Sequence, residues 1–135
     1  MPQIAWSDTL SVSIPSIDVQ HKALIAMINE LDGAIYRRQS VIITGAIIEK
    51  LLMYAEHHFS YEEQCMEQCA FAHIETHRCQ HDELRVKVKE FSIAFNNSVP
   101  GISEDLLEFL NLWLQNHILR SDKKYTSQFQ VHNIA

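Results

Sequence analysis

Histidine and carboxylate side chains recur at helical spacing in the middle of this 135-residue chain. His58 and Glu62 are four residues apart, and so are His77 and His81. Residues four apart share one face of a helix, so each pair can direct two ligand atoms to the same point. Imidazole and carboxylate groups at this spacing are ligands for first-row transition metals. Two such pairs on consecutive helices indicate a metal held between helices.

The composition is typical of one acidic domain without disulfide bonds. Hydrophobic residues make up 47% of the chain and charged residues 21%, and the formal net charge is −6. This charge disfavours nucleic acid or an anionic membrane as a partner. No stretch resembles a signal peptide or a transmembrane span, so we expect a cytoplasmic protein. We also expect a monomer rather than an oligomer. A domain of this size needs no disulfide to fold.

Apolar residues that recur every three or four positions predict an all-α protein. The expected helices span residues 18–38, 41–68, 72–96 and 103–120. Four helices with short connections favour an up-down-up-down antiparallel four-helix bundle, which takes residues 1–135 as a single domain.

The two ends of the chain differ from this helical pattern. Within residues 1–17, Leu10, Val12 and Ile14 alternate with Ser11 and Ser13, which predicts an extended arm that packs on the bundle with Trp6 as its anchor. Asp18 and Ser103 are the expected N-caps of the first and fourth helices. We expect a short polar tail containing Phe129 after the fourth helix.

Helix order brings the polar residues of the apolar seams to one level of the bundle. In an antiparallel bundle, the starts of the first and third helices lie level with the ends of the second and fourth. Seven polar seam residues occur at this level: His21, His58, Glu62, His77, His81, His117 and Asp122. Five imidazoles and two carboxylates inside a core are costly unless something binds them. The pattern therefore predicts a metal site at one end of the core.

The donor types narrow the choice of metal. Seven ligands exceed the four of a structural zinc site, and nitrogen and oxygen donors without thiolate suit iron or manganese. Two metals fit seven ligands better than one does. If Glu62 and Asp122 both bridge the metals together with a solvent oxygen, the five histidines divide as three and two. One metal then keeps an open position for a small molecule.

Two neighbouring histidines compete for these assignments. His57 lies about 100° round the helix from His58, and His73 is one turn before His77. His58 is preferred because it shares its seam with Glu62. We expect His57 to be solvated and His73 to be at most a partner of a ligand.

The remaining polar residues receive ordinary interpretations. We expect Glu63 to be a helix-surface charge and His132 to be solvated. The cysteines Cys65, Cys69 and Cys79 are odd in number and lie in helical sequence, so we expect reduced thiols that behave as small, buried or half-buried apolar residues. The alternative is a redox-sensitive thiol site near the metal.

Over nearly its whole length the chain resembles the hemerythrin family, specifically the single-domain bacteriohemerythrins. The matching segments are Trp6-Ser-Asp-Thr-Leu, Ile17-Asp-Val-Gln-His21-Lys-Ala-Leu, His58-Phe-Ser-Tyr-Glu62-Glu63, His77-x-x-x-His81 and Trp113-Leu-Gln-Asn-His117-Ile-Leu-Arg-Ser-Asp122. All seven ligand positions of the family are filled.

The resemblance implies a cofactor of two non-haem iron ions with an oxo or hydroxo bridge. It implies that Glu62 and Asp122 also bridge the irons. The six-coordinate iron is then held by His77, His81 and His117. The iron with the open position, where the family binds O2, is held by His21 and His58.

The same resemblance implies that Trp113 and Leu114 flank the open position. The expected function is that of a non-enzymatic O2 carrier, store or delivery protein. One alternative is an O2 or redox sensor module that presents its state to a partner. Another is a di-iron oxidase that handles iron, peroxide or nitric oxide, which the histidine-rich ligand set without a spare acid disfavours.

Overall fold

Four long helices dominate the structure, a computed structural model that describes residues 5–135. They are α1 (Pro15–Tyr36), α2 (Val41–Gln68), α3 (Ile74–Asn96) and α4 (Ile102–Arg120). Each helix contacts the next along the chain, and α4 contacts α1, so the four close into a ring. The predicted four-helix bundle is confirmed. No helix in the described part of the chain is long and apolar enough to cross a membrane.

The bundle forms because each helix buries one apolar face. On α1 the buried apolar residues include Leu24, Ile28 and Leu31, which follow the spacing of four and three that was predicted. Full burial of such a side chain contributes about 1.5–3 kcal/mol each. The polar residues of the opposite face remain in solvent, so burial fixes the rotation of each helix about its axis.

The first three long helices end in the same way. Arg38, Ala70 and Ser98 each follow the helix in the left-handed region, with φ of 52°, 51° and 57°. The next amide then donates to the carbonyl five residues earlier, as from Phe71 N to Met66 O at 2.9 Å. This C-terminal motif satisfies the last carbonyls of the helix. It turns the chain within a few residues and sets successive helices antiparallel.

The N-terminal boundary differs from the prediction. Helix α1 begins at Pro15, whose missing N–H costs nothing at the first helical position. The prediction of Asp18 as N-cap was wrong, because its carboxylate accepts a hydrogen bond from Val12 N at 2.9 Å and so fixes the arm instead. The arm includes a short 3-10 helix (Asp8–Leu10). Residues 1–4 of the predicted arm lie outside the described residues.

The arm packs on the bundle as expected. Leu10, Val12 and Ile14 are all buried, although they alternate with serines in sequence. Trp6 is half-buried against the core, and Lys22 Nζ lies 4.9 Å from its ring centroid. The arm therefore covers one side of the bundle near the start of α1.

The C-terminal predictions need two corrections. Helix α4 begins at Ile102 and its N-cap is Gly101, with φ of 73°, rather than Ser103. The segment after α4 is not a loose polar tail. A 3-10 helix (Asp122–Tyr125) leads directly into a short helix, α5 (Thr126–Val131).

The C-terminal segment folds back onto the end of the bundle. Tyr125 and Phe129 are fully buried, and their rings stack with centroids 4.0 Å apart. Thr126 Oγ1 donates a hydrogen bond to Val12 O at 2.7 Å, which joins this segment to the N-terminal arm. The apolar residues in the predicted tail therefore close the end of the bundle at which Asp122 lies.

Candidate metal centre

All seven predicted ligands meet at one end of the bundle, and each is at most 6% exposed. Their ligand atoms form two groups, within each of which all atoms lie within 4.8 Å of one another. The three-histidine group consists of Glu62, His77, His81, His117 and Asp122. The two-histidine group consists of His21, His58, Glu62 and Asp122. The two groups share both carboxylates, which is the division that the donor count suggested.

Helix direction explains this meeting point. His21 lies near the start of α1, and His58 lies in the C-terminal half of α2. His77 lies in the first turn of α3, and His117 lies in the last turn of α4. Because consecutive helices run in opposite directions, these four positions lie at one level. Asp122 reaches the same level because the 3-10 helix turns the chain across the end of the bundle.

The imidazole rings bring their Nε2 atoms together. The Nε2 of His117 lies 3.0 Å from that of His77 and 3.2 Å from that of His81. The Nε2 of His21 lies 3.2 Å from that of His58. The same nitrogen of each ring is therefore directed into the core, and the five nitrogens form one cluster of three and one of two.

Each shared carboxylate directs one oxygen to each group. Asp122 Oδ1 lies 2.8 Å from His77 Nε2, while Asp122 Oδ2 lies 3.0 Å from His21 Nε2. Glu62 Oε1 lies 3.1 Å from His81 Nε2, while Glu62 Oε2 lies 3.3 Å from His58 Nε2. A carboxylate that bridges two metals must present its oxygens in this way. The geometry thus fits two metals joined by Glu62 and Asp122.

Three buried oxygen atoms without hydrogen bonds indicate that the donor groups suit a cation. Glu62 Oε1 and both oxygens of Asp122 are buried and accept no hydrogen bond of acceptable geometry from residues 5–135. Each buried acceptor left in this way costs about 1–3 kcal/mol. Cations between these oxygens and the imidazole nitrogens would remove the cost. Nitrogen and oxygen donors without thiolate suit iron, so the residues present fit non-haem iron.

The carboxylates keep their negative charge in this setting. Burial alone raises the pKa of Glu62 and of Asp122, but the surrounding histidines outweigh it and hold both pKa values below their usual range. Burial lowers the pKa of His21, yet Asp122 and Glu62 more than compensate and raise it to about 9. For His58 burial prevails, and its pKa is lowered. Ionised carboxylates are the form that binds a cation.

Two side chains form hydrogen bonds with the Nδ1 atoms of ligand rings, and the sequence did not identify either. These Nδ1 atoms are the outer nitrogens, which face away from the donor groups. Glu63 Oε2 lies 3.0 Å from His81 Nδ1, and the Glu63 side chain is only 17% exposed. The prediction that Glu63 is a helix-surface charge was therefore wrong. Gln20 Oε1 lies 2.6 Å from His58 Nδ1. Both partners are acceptors, so each ring donates from Nδ1 and keeps Nε2 as the ligand atom.

The C-terminal segment supplies one further contact that the sequence did not reveal. The Tyr125 hydroxyl donates a hydrogen bond to Glu62 Oε2 at 2.7 Å. Burial raises the pKa of Tyr125 well above its usual range, so the hydroxyl stays protonated. The only signal in the sequence is an aromatic residue three positions after Asp122, within the segment that the sequence predicts as a polar tail.

Aromatic rings flank the three-histidine group. Phe59 stacks on His81 with centroids 4.0 Å apart, and Trp113 stacks on His117 at 4.4 Å. Leu114 is buried in the core. The contact of Trp113 is thus with a ligand of the three-histidine group. The role of Trp113 and Leu114 beside an open position stays a prediction.

The competing residues lie apart from the site. His57, His73 and His132 are exposed, as expected for the first and last, and none of them belongs to either group. All three cysteines are free thiols, and Cys65 and Cys69 are buried as expected. The expectation was wrong for Cys79, which is exposed. Burial raises the pKa of Cys65 and of Cys69. This keeps both as neutral thiols, and a redox role for the cysteines stays a hypothesis.

Comparison with known proteins agrees with this fold and site. The family model described as the hemerythrin HHE cation binding domain matches residues 12–129. The bacteriohemerythrin of Stenotrophomonas maltophilia is 32% identical over 132 residues, which is 98% of this chain and 85% of that protein. The bacteriohemerythrin of Clostridium acetobutylicum is 30% identical over 125 residues, covering 89% of this chain and 96% of that protein.

A solved structure shows the same arrangement of helices. The crystal structure of a wild-type hemerythrin superposes with a TM-score of 0.87 at 26% identity, covering 95% of this chain and 98% of that one. This chain belongs to the hemerythrin family, and the relatives that it resembles along most of their length are bacteriohemerythrins.

Proposed function

We propose that this protein binds O2 reversibly at two non-haem iron ions and acts as an O2 carrier, store or delivery protein rather than as an enzyme. The observation that carries the proposal is the pair of donor groups that share two buried carboxylates. Hemerythrins are a non-haem iron family that binds O2. By its resemblance to that family, this chain has a histidine or carboxylate at each of the seven ligand positions.

The donor count gives the two irons different roles. The three-histidine group offers three imidazoles and two carboxylates, so one bridging solvent oxygen would complete six ligands. The two-histidine group offers one imidazole fewer. Iron held there by this smaller donor set would keep a position for O2, and a pair of ferrous ions would supply the electrons for reversible binding. His21 and His58 orient that iron from α1 and α2.

The surroundings of the site favour reversible binding over oxidation of a substrate. Among residues 5–135, the only buried carboxylates are Glu62 and Asp122, and both face histidines of the site. No further buried carboxyl group is therefore at hand to donate a proton for O–O cleavage. Leu24 and Ile28 follow His21 on the buried face of α1, and such apolar walls exclude water from a bound ligand.

The proposal is tested by mixing Fe2+-loaded, oxygen-free protein with O2 and then purging with inert gas. We expect two irons per chain and a visible absorption band that appears with O2 and disappears on purging, as the ferrous form returns. The control is the same cycle with the Zn2+-loaded protein, which has no electrons to donate. Direct oxidation to the ferric form, with continued O2 consumption in the presence of a reductant, contradicts the carrier function and supports an oxidase.

A further inference from the structure

The carboxylate of Glu63 holds a ligand ring from outside the donor groups. Glu63 follows Glu62 on α2 and points about 100° away from it, toward the contact between α2 and α3. There its Oε2 lies 3.0 Å from Nδ1 of His81, on the opposite side of the ring from the ligand nitrogen. An acidic group that is only 17% exposed is costly unless charged partners surround it.

Two arginines of α3 provide those partners. Arg85 Nη2 lies 2.9 Å from Glu63 Oε2, and Arg78 Nε lies 3.5 Å from Glu63 Oε1. The arginines are three residues before and four residues after His81, so all three residues lie on one face of α3. The Glu63 carboxylate therefore lies between two guanidinium groups and a ligand imidazole.

The arginines are themselves fixed. Their outer partners are four carboxylates, Glu67 and Glu75 for Arg78, and Glu56 and Asp82 for Arg85. The Arg85 guanidinium also lies over the Phe59 ring at 5.3 Å, and Phe59 stacks on His81. A network of this kind restricts the Glu63 carboxylate to the position in which it meets His81.

We propose that Glu63 is a positioning residue for the iron of the three-histidine group. Its carboxylate accepts a hydrogen bond from the Nδ1–H of His81. This hydrogen bond directs the Nε2 lone pair into the core and makes the imidazole a stronger electron donor to a metal. Arg78 and Arg85 hold the carboxylate in place. The inference rests on the proposed iron site. It concerns a carboxylate that supports only the iron of the three-histidine group.

The rings of the two-histidine group have no charged partner of this kind among residues 5–135. The outer nitrogen of His58 meets the neutral amide oxygen of Gln20, and the outer nitrogen of His21 meets no hydrogen-bond partner within residues 5–135. A negative partner stabilises the ferric ion more than the ferrous ion, because it raises electron donation from the ring. Glu63 therefore lowers the midpoint potential of the iron in the three-histidine group.

The test compares Glu63→Gln, which keeps an accepting oxygen but removes the charge, with Glu63→Ala, which removes both. The matched control is Glu49→Gln, which removes the same charge from an exposed position on α2, about 21 Å along the helix. For each protein we would measure Fe2+ affinity by anaerobic competition with a chelator and the midpoint potential by redox titration. Ring 15N chemical shifts of His81, recorded without metal, report which ring nitrogen carries the proton.

We expect Glu63→Ala to weaken Fe2+ binding by about 10- to 100-fold, with a smaller loss for Glu63→Gln. Both variants should shift the midpoint potential upward, and Glu63→Ala should change the His81 ring shifts, while Glu49→Gln matches the unmodified protein. The inference is overturned if both Glu63 variants match the control. It is also overturned if they lower the melting temperature without moving the potential or the ring shifts, because that result indicates a structural role alone.

These outcomes are separable from a failure of the proposed function. The Fe2+ affinity and the ring shifts do not depend on O2, so they report on Glu63 even if O2 binds irreversibly. A protein that binds no iron contradicts the proposed function. In that case, ring shifts of His81 that are the same with and without Glu63 overturn the positioning role as well.

Discussion

The three-histidine group and the two-histidine group share two carboxylates, yet they differ in what holds their rings. On one side, His81 has the charged partner Glu63. On the other, His58 has the neutral partner Gln20, and the outer nitrogen of His21 meets no partner within the described residues. The three-histidine group thus has more donors and a charged partner for one of its rings, whereas the two-histidine group has fewer donors and weaker support.

Aromatic stacking adds to this difference. Rings lie flat against two histidines of the three-histidine group, Phe59 on His81 and Trp113 on His117. In the two-histidine group the closest ring contact is between His21 and His58 themselves, edge to face at 4.7 Å. Flat stacking fixes the plane of an imidazole, so the three-histidine group is more rigid than the two-histidine group. A single bundle therefore supplies one rigid and one more adaptable set of donors.

The largest expected effect comes from a ligand that both groups use. Replacing Asp122→Asn removes the charge whose two oxygens face His77 and His21. We expect loss of both irons, whereas His58→Ala should remove only the iron of the two-histidine group. Iron content per chain, measured by metal analysis after purification and reloading, distinguishes the two variants. Full iron content in Asp122→Asn would contradict the shared role of this carboxylate.

Removal of iron should destabilise one end of the bundle more than the other. The end near His21 and His117 contains the clustered polar groups, whereas the end near Leu31 and Leu106 is apolar. Fe2+ in about 1,000-fold excess over its Kd contributes about 4 kcal/mol to the free energy of unfolding, which raises the melting temperature by about 14 °C. Hydrogen exchange should show the greater gain in protection around His21 and His117. Equal melting temperatures with and without iron would place the ligands elsewhere.

A smaller effect is expected from a substitution beside the proposed O2 position. We predict that Leu114→Ala, which opens the buried wall of α4, admits water and accelerates autoxidation of the oxygenated protein. The matched control is Leu106→Ala, the same change at the apolar end of α4. Each variant should lose about 2–5 kcal/mol of stability, but only Leu114→Ala should change the decay of the visible band. Equal decay rates in both would show that Leu114 does not guard the site.

The bundle and the meeting of the seven donors could be predicted from the sequence. The reason is that both depend on two regular quantities, the helical repeat and the alternating direction of consecutive helices. His58 and Glu62 share a seam by spacing alone, and helix order places them level with His77 and His81. Errors of two or three residues at the helix ends, as at Asp18, do not alter which residues share a face.

The partners of the ligands could not be predicted in this way. Glu63 and Gln20 lie beside the seams, and whether they meet solvent or a ligand ring depends on how closely the neighbouring helix approaches. The distance between neighbouring helices follows from side-chain packing rather than from the spacing of residues in the sequence. Tyr125 was missed for a different reason, because the fold-back of the last segment depends on burial of Tyr125 and Phe129 against the bundle. Two aromatic residues in a polar stretch carry no period from which burial can be read.

The contact between Tyr125 and Glu62 gives the smallest predicted effect, and it also bears on the two groups. The hydroxyl meets Oε2, which is the oxygen that faces His58 and His21 rather than His81. Replacing Tyr125→Phe removes one hydrogen bond to a charged oxygen without removing the ring that packs on Phe129.

We expect Tyr125→Phe to lower the free energy of unfolding by about 1–2 kcal/mol and to weaken iron binding in the two-histidine group before the other. The matched control is Tyr61→Phe, which removes a hydrogen bond to Ser16 Oγ of 2.9 Å outside the donor groups. Denaturant unfolding gives the change in stability, and stepwise Fe2+ titration gives the affinity of each group. Because the hydroxyl acts on one carboxylate oxygen, only Tyr125→Phe should separate the two binding steps further. Equal weakening of both steps would mean that Glu62 is held as a rigid unit and that the two groups differ only through their histidines.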